Sequence, residues 1–221
     1  MMIAGRIKEI HAMLPAGVEL VAVSKFHPAE AIREAYEAGQ RIFGESRVQE
    51  LLTKIPQLPE DIRWHFIGHL QTNKVKQIVG KTSLIESVDS ERLLRVIDSE
   101  SEKAGVVTRV LLEVHVAQEE TKSGFMPEEL RRYFNERRFE QLKATHICGI
   151  MGMASNTDDM ERVRKDFATI SSLYREIADD SDLGLRGFDH LSMGMSGDWR
   201  IAVEEGSNIV RIGTAIFGNR L

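Results

Sequence analysis

Apolar residues recur along this chain in short alternating runs, each followed by a longer stretch with helical spacing. The opening "MMIAGRIKEIHAML" predicts an amphipathic helix over residues 1–14. "VELVAVSKF" (18–26) then predicts a strand, and "PAEAIREAYEAGQ" (28–40) a helix with Pro28 near its first turn. "RIFGES" (41–46) and "IRWHFIGH" (62–69) are further strands, followed by the helices "RVQELLTKI" and "TNKVKQIVGK". "SLIESVD" (83–89) is the fourth strand, and Ser90 is placed to cap "ERLLRVIDSESEKAG". The fifth, "TRVLLEVHV" (108–116), precedes the helix "MPEELRRYFNERR". "KATHICGIMGM" (143–153) is the sixth, and the acidic first turn of "TDDMERVRKDFATISSLYREIADD" suits a helix N-terminus. "FDHLSMGMS" (188–196), the helix "DWRIAVEEG" and "NIVRIGTAIFG" (208–218) complete the pattern.

Strands alternating with helices imply βαβ crossovers and a parallel sheet. Eight units in 221 residues point to an α/β fold, a single (β/α)8 TIM barrel somewhat below the usual size. A doubly wound open sheet normally carries a Gly-rich phosphate loop after its first strand. Here "SKFHPAE" follows that strand instead. No Pro/Gly/Ser-rich linker, repeat or low-complexity segment divides the chain, so residues 1–221 are expected to form one domain.

Charge and composition narrow the class. A net charge of −5 provides no global field for nucleic acid or an anionic membrane surface. No run approaches the ~18 apolar residues of a membrane span. The basic cluster "RRYFNERRF" is interleaved with Glu128, Glu129 and Glu136 and reads as a solvated helix face. The single cysteine, Cys148, excludes an intrachain disulfide and lies in an apolar run, as a small buried side chain does. Lys8, Glu9 and His11 interrupt any signal-peptide core. A cytoplasmic monomer is expected.

Barrel enzymes build their sites at the C-terminal ends of the strands. Strand one ends there in Ser24 and Lys25, with Lys25 on the same face as Val21 and Val23. Lys25 reads either as a stem snorkelling from the barrel end or as a desolvated amine acting on an aldehyde. "SMGMSGDW" and "RIGTAIFG" bring together Gly194, Ser196, Gly197, Gly213 and Thr214, with Ser192 as a further hydroxyl. Small residues admit close approach, and Asp198 is placed to cap the next helix; an anion site or simple relief of crowding fits both strands. Arg211, inside an apolar strand, requires an acceptor, either a carboxylate or a ligand. His65 and His69 share a strand face, but neither has tight metal-ligand spacing.

Taken together, "LVAVSKFHPAEAIREAYEAGQRIFGESRVQE", "WHFIGHLQTNK", "KSGF", "GIMGMA", "HLSMGMSGDW" and "VRIGTAIFG" resemble the YggS/PROSC family of pyridoxal phosphate homeostasis proteins. The resemblance implies a fold-type III barrel like the N-terminal domain of alanine racemase. It also implies pyridoxal 5′-phosphate (PLP) held as a Schiff base on Lys25. By the same resemblance Ser196, Gly213 and Thr214 match phosphate-binding positions. Arg211 matches the arginine facing the pyridine nitrogen, and Met193 and Gly194 belong to the pocket. The family usually reads F-G-E-N in strand two; here Ser46 stands in place of the asparagine, with one hydroxyl instead of an amide.

An arginine facing the ring nitrogen makes the cofactor a poorer electron sink than an aspartate would. A racemase also needs a second base, and Tyr36, Tyr133 and Tyr174 all fall in predicted helices. The expected function is therefore non-catalytic: buffering PLP or delivering it to apo PLP enzymes. A low-efficiency amino-acid racemase is the alternative, and a cofactor-free Schiff-base aldolase using Lys25 is a third reading.

Overall fold

The computed structural model describes residues 2–116 and 123–218. Eight parallel strands close into a barrel in chain order, β1 pairing with both β2 and β8. They are β1 (Glu19–Val23), β2 (Ile42–Glu45), β3 (Arg63–Phe66), β4 (Leu84–Val88), β5 (Thr108–Val114), β6 (Thr145–Gly152), β7 (His190–Ser192) and β8 (Ile209–Ile212). The helices are α1 (Ile3–Met13), α2 (Ala29–Glu37), α3 (Val48–Lys54), α4 (Val75–Ile78), α5 (Glu91–Ala104), α6 (Pro127–Asn135), α7 (Met160–Ala178), α8 (Trp199–Glu204) and α9 (Thr214–Phe217).

Local chemistry sets several helix ends. Ser90 caps α5 by accepting from Leu93 N at 3.3 Å, and Gly105 ends it at φ 68°. Asp159 caps α7 through Glu161 N and Arg162 N, and Glu129 reaches back to Met126 N at the start of α6.

Side-chain alternation divides the core in two. Outward-facing residues such as Phe43, Phe66 and Val110 pack under the helices with Phe134 and Phe167. Inward-facing Val21, Ile42, Leu84, Leu111, Cys148, Met151 and Ile209 fill the barrel. Fully burying side chains of this size contributes roughly 1.5–3 kcal/mol each.

Several strands are shorter than the apolar pattern predicts. β8 stops at Ile212, and "TAIF" turns into α9, whose Ile216 and Phe217 pack inward. Arg6 of α1 ties that turn down by donating to the Ile216 carbonyl at 3.0 Å. A short apolar run cannot be told from a helical turn by periodicity alone. β7 covers three residues because Gly194, at φ 92°, redirects the chain. A Cβ there would lie 2.6 Å from the Ala202 Cβ, so the position requires glycine.

The basic cluster is a salt-bridged face, as its interleaved acids imply. Arg131 pairs with Glu128 and Glu176, and Arg138 with Glu91 and Glu136. Cys148 is fully buried, and burial pushes its thiol up. No helix among the described residues is long and apolar enough to cross a membrane.

Candidate functional site

The barrel interior combines apolar side chains with a few buried charged and polar ones. Val21 is level with Arg211 across the β1–β8 pairing, and Gly44 with His65 across β2–β3. Beside these apolar side chains, His65, Glu86, Ser192 and Arg211 occupy inward positions of β3, β4, β7 and β8, all buried. Glu86 is fully enclosed. His65 Nδ1 lies 2.6 Å from Glu86 Oε1, and Ser192 Oγ donates to Glu86 Oε2 at 2.6 Å. Arg211 donates to Ser192 Oγ and, at 3.0 Å, to the Gly152 carbonyl; its Nη1 is 3.6 Å from Glu86 Oε2. Burial alone would raise the Glu86 carboxyl, but His65, Arg211 and Ser192 together hold it below the ordinary carboxylate value. The buried cation therefore has its counter-ion, and the guanidinium is held in one orientation.

Glu113, one layer higher on β5, is the second inward carboxyl. Burial first, and Asp89 second, push it up to about 7. Ser123 donates to it at 3.5 Å, which places part of the "KSGF" segment at the barrel mouth; Lys122 lies outside the described residues.

Lys25 follows β1 in a half-buried turn, two residues beyond Val23. The turn is closed by His27 N donating to the Ser24 carbonyl at 3.1 Å. Phe26 sits within it at φ 69°, a conformation costing a non-glycine residue about 1–3 kcal/mol. His27 stacks on Phe217 of α9 at 5.0 Å. The Lys25 turn thus lies beside the loop carrying Gly213 and Thr214.

Ser196 and Gly213 meet directly, Gly213 N donating to Ser196 Oγ at 3.2 Å. A Cβ on Gly213 would lie 3.2 Å from the Val23 carbonyl, so β8 leaves the barrel in close contact with β1. Thr214 is exposed at the start of α9, and Gly197 faces open space. Gly194 is positioned by its carbonyl, which accepts from Arg211 N at 3.0 Å.

Four placements differ from the expectations. Met193 is fully buried with its side chain in the outer core, and its main chain is bonded to Ile209 and Ser207. Ser192 is spent on Glu86 and Arg211, which removes it from the set of anion-binding hydroxyls. Asp198 does not cap α8 with its side chain; the carboxylate accepts from Met195 N and closes the loop after β7. His65 and His69 separate: His65 is internal, while exposed His69 pairs with Asp89 at 3.0 Å.

Ser46 is half-buried on the inward parity after β2. A Cβ on Gly68 would fall 2.2 Å from its carbonyl oxygen, so the β3 end packs directly on its backbone. Glu45, by contrast, faces outward against Lys54 of α3. Between the loops after β6 and β7 a groove of about 580 Å³ opens, bordered by Met153, Asn156, Met160, Met195 and Asp198.

The alanine racemase N-terminal domain family matches residues 2–220. A pyridoxal phosphate homeostasis protein from Aquifex aeolicus is 43% identical over 203 residues, covering 91% of this chain and 87% of its own. One from Schizosaccharomyces pombe is 38% identical, covering 92% and 84%. The chain belongs to the pyridoxal phosphate homeostasis protein family. The structure of PipY from Synechococcus elongatus with PLP bound superposes with a TM-score of 0.89 at 38% identity, covering 98% of this chain and 100% of that one. Alanine racemase from E. faecalis shares the fold at a TM-score of 0.72 and 17% identity, and this chain covers 60% of it. The fold-type III barrel expected from the motifs is therefore the observed one.

Glu86 and Glu113 complete the set of inward-facing charges beyond those expected from the motifs. Both carried the signal that drew attention to Arg211, a charge on the inward parity of an apolar strand. Of the two, Glu86 is the one placed against Arg211.

Proposed function

We propose that this member of the pyridoxal phosphate homeostasis family binds PLP at the barrel mouth through Lys25 and acts in intracellular PLP homeostasis. It holds the cofactor reversibly, so that PLP is buffered or passed to apo PLP enzymes. The carrying observation is the arrangement of a half-buried amine beside a small-residue loop, above a buried arginine with a fixed counter-ion. When bound, PLP supplies an aldehyde that condenses with a primary amine and releases water. The residues present fit that group.

Lys25 provides the amine from a turn anchored on rigid β1. Ser196 accepts from Gly213 N, which leaves its hydroxyl hydrogen free to donate to a phosphate oxygen. Gly213, Gly197 and exposed Thr214 keep the same loop open to an anion. Arg211 would hold a permanent cation near a ring nitrogen bound at the mouth, and would disfavour a proton there. That weakens the ring as an electron sink and favours holding the cofactor over carbanion chemistry.

The tyrosines support the carrier reading over a racemase. Tyr36 on α2 donates to Asp61, just before β3. Tyr174 on α7 stacks on Phe188, just before β7. Tyr133 on α6 is buried edge-on against Phe134. Each is engaged away from Lys25.

The test is the visible spectrum of the protein with and without Lys25→Ala. Wild type turns yellow with PLP, and borohydride fixes the cofactor's mass on the Lys25 peptide; the variant folds and does neither. A wild type that stays colourless in excess PLP refutes the reading. Steady racemisation of alanine or serine by the loaded protein would overturn the non-catalytic part.

A further inference from the structure

Behind Lys25 lies a buried cluster of charges that the cofactor reading leaves unused. Lys54, near the end of α3, points inward between β1 and β2 with its side chain 7% exposed. Its ammonium donates three hydrogen bonds: to the Ser24 carbonyl at 2.9 Å, to Glu45 Oε1 at 2.7 Å and to Glu50 Oε1 at 2.6 Å. Ser24 Oγ donates to the same Glu45 oxygen at 2.6 Å. Glu50 Oε1 accepts in addition from Phe26 N at 2.5 Å. The residues on both sides of Lys25 are therefore bound to one cluster, Ser24 by its carbonyl and hydroxyl and Phe26 by its amide.

We infer that Glu50 and Lys54 are positioning residues for Lys25, with the Glu45–Lys54–Glu50 cluster holding the Ser24–Phe26 turn so that the amine is presented in one place. This rests on the reading of Lys25 as the attachment lysine. A plain structural ion pair has no reason to converge on a single turn. Here every donor of Lys54, and the second bond of Glu45 Oε1 and of Glu50 Oε1, lead to that turn or to a group that binds it. The turn itself needs holding, because Phe26 occupies a left-handed conformation that phenylalanine disfavours. The Arg47 guanidinium over the Phe26 ring, at 4.6 Å, adds a contact from the start of α3. The element that follows β2 thus sets the geometry of the residue that follows β1.

Glu50→Ala removes the acceptor for Phe26 N, whereas Glu50→Gln keeps an amide oxygen there. Two rates are measured on the full-length protein: the rise of visible absorbance after mixing with PLP, and the reductive methylation of Lys25 by formaldehyde and cyanoborohydride, read by peptide mass. Pyridoxine 5′-phosphate, which lacks the aldehyde, is titrated calorimetrically in parallel. Small misplacements of a reacting group cost about tenfold to a hundredfold in rate. Glu50→Ala is expected to slow PLP attachment by about tenfold and to change methylation of Lys25 relative to Lys8, with binding of the alcohol analogue within about twofold of wild type. Glu50→Gln is expected to recover most of the attachment rate. Lys54→Met gives the same pattern wherever it folds.

Equal losses in attachment and analogue binding, or an unchanged attachment rate in Glu50→Ala, overturn the inference. If wild type never colours with PLP, the cofactor reading fails instead, and the methylation arm alone decides the clamp: an unchanged Lys25 rate in Glu50→Ala overturns it.

Discussion

Glu86→Gln isolates the charge that balances Arg211 while keeping the shape of the side chain. The carboxylate is fully buried, binds His65 and Ser192 at 2.6 Å each, and lies 3.6 Å from the guanidinium. Removing one partner of a buried pair costs about 3–5 kcal/mol, because the remaining charge is left uncompensated. The amide retains part of the hydrogen bonding, which puts the expected loss near the lower end, about 3 kcal/mol. For a chain of this size that lowers Tm by about 6–12 °C.

The pH dependence follows from the depressed carboxyl. Its contribution is present above the ordinary carboxylate value of 4.5 and is lost as pH falls through the lower folded-state value, so the gap between wild type and Glu86→Gln closes in acid. Denaturant titration and thermal melts of the cofactor-free protein at neutral and acidic pH measure both effects. The exposed pair Arg63–Glu19, at 3.1 Å, is the control: Arg63→Ala should cost less than about 1 kcal/mol. Replacing both buried partners, Glu86→Leu with Arg211→Met, should recover much of the loss. A Tm change below about 2 °C in Glu86→Gln, or a gap that persists unchanged in acid, refutes the argument.

Glu113→Gln acts in the opposite pH direction. A folded-state value near 7 means that the wild type loses stability as pH rises from 4.5 through about 7, so the variant's melting profile should be flatter there and higher at neutral pH. Gly194→Ala places a methyl group 2.6 Å from Ala202 Cβ and 2.8 Å from Trp199 Cα at φ 92°; a loss exceeding 1 kcal/mol, with weaker PLP binding, is expected from melts and titration. Ser90→Ala removes the α5 cap and should cost about 1 kcal/mol by denaturant titration, without altering PLP binding.

The barrel itself was legible in the chain. Alternating runs such as "VELVAV" and "TRVLLEV" mark strands by their two-residue period, and their eightfold alternation with helical segments leaves little but a closed parallel barrel. Ser90 as a cap was equally readable, because it depends on neighbours close in sequence. The strand ends were not. "TAIFG" is apolar whether it extends β8 or coils into α9, and only packing of that turn against α1 selects the helix.

Pairings across the barrel also lay beyond the sequence. Glu86 and Ser192 stand 106 positions apart, and nothing local in "SLIESVD" says which cation its carboxylate meets. Glu45 and Glu86 are both acids in apolar strands, yet one faces α3 and Lys54 while the other faces the barrel and Arg211. Strand parity distinguishes inside from outside once the register is known, and closure of the sheet supplies the register. The order and period of the apolar runs were enough for the eight-stranded barrel. The tertiary structure decided which charges are buried together, because a buried charge is tolerated only where the folded chain brings it a partner.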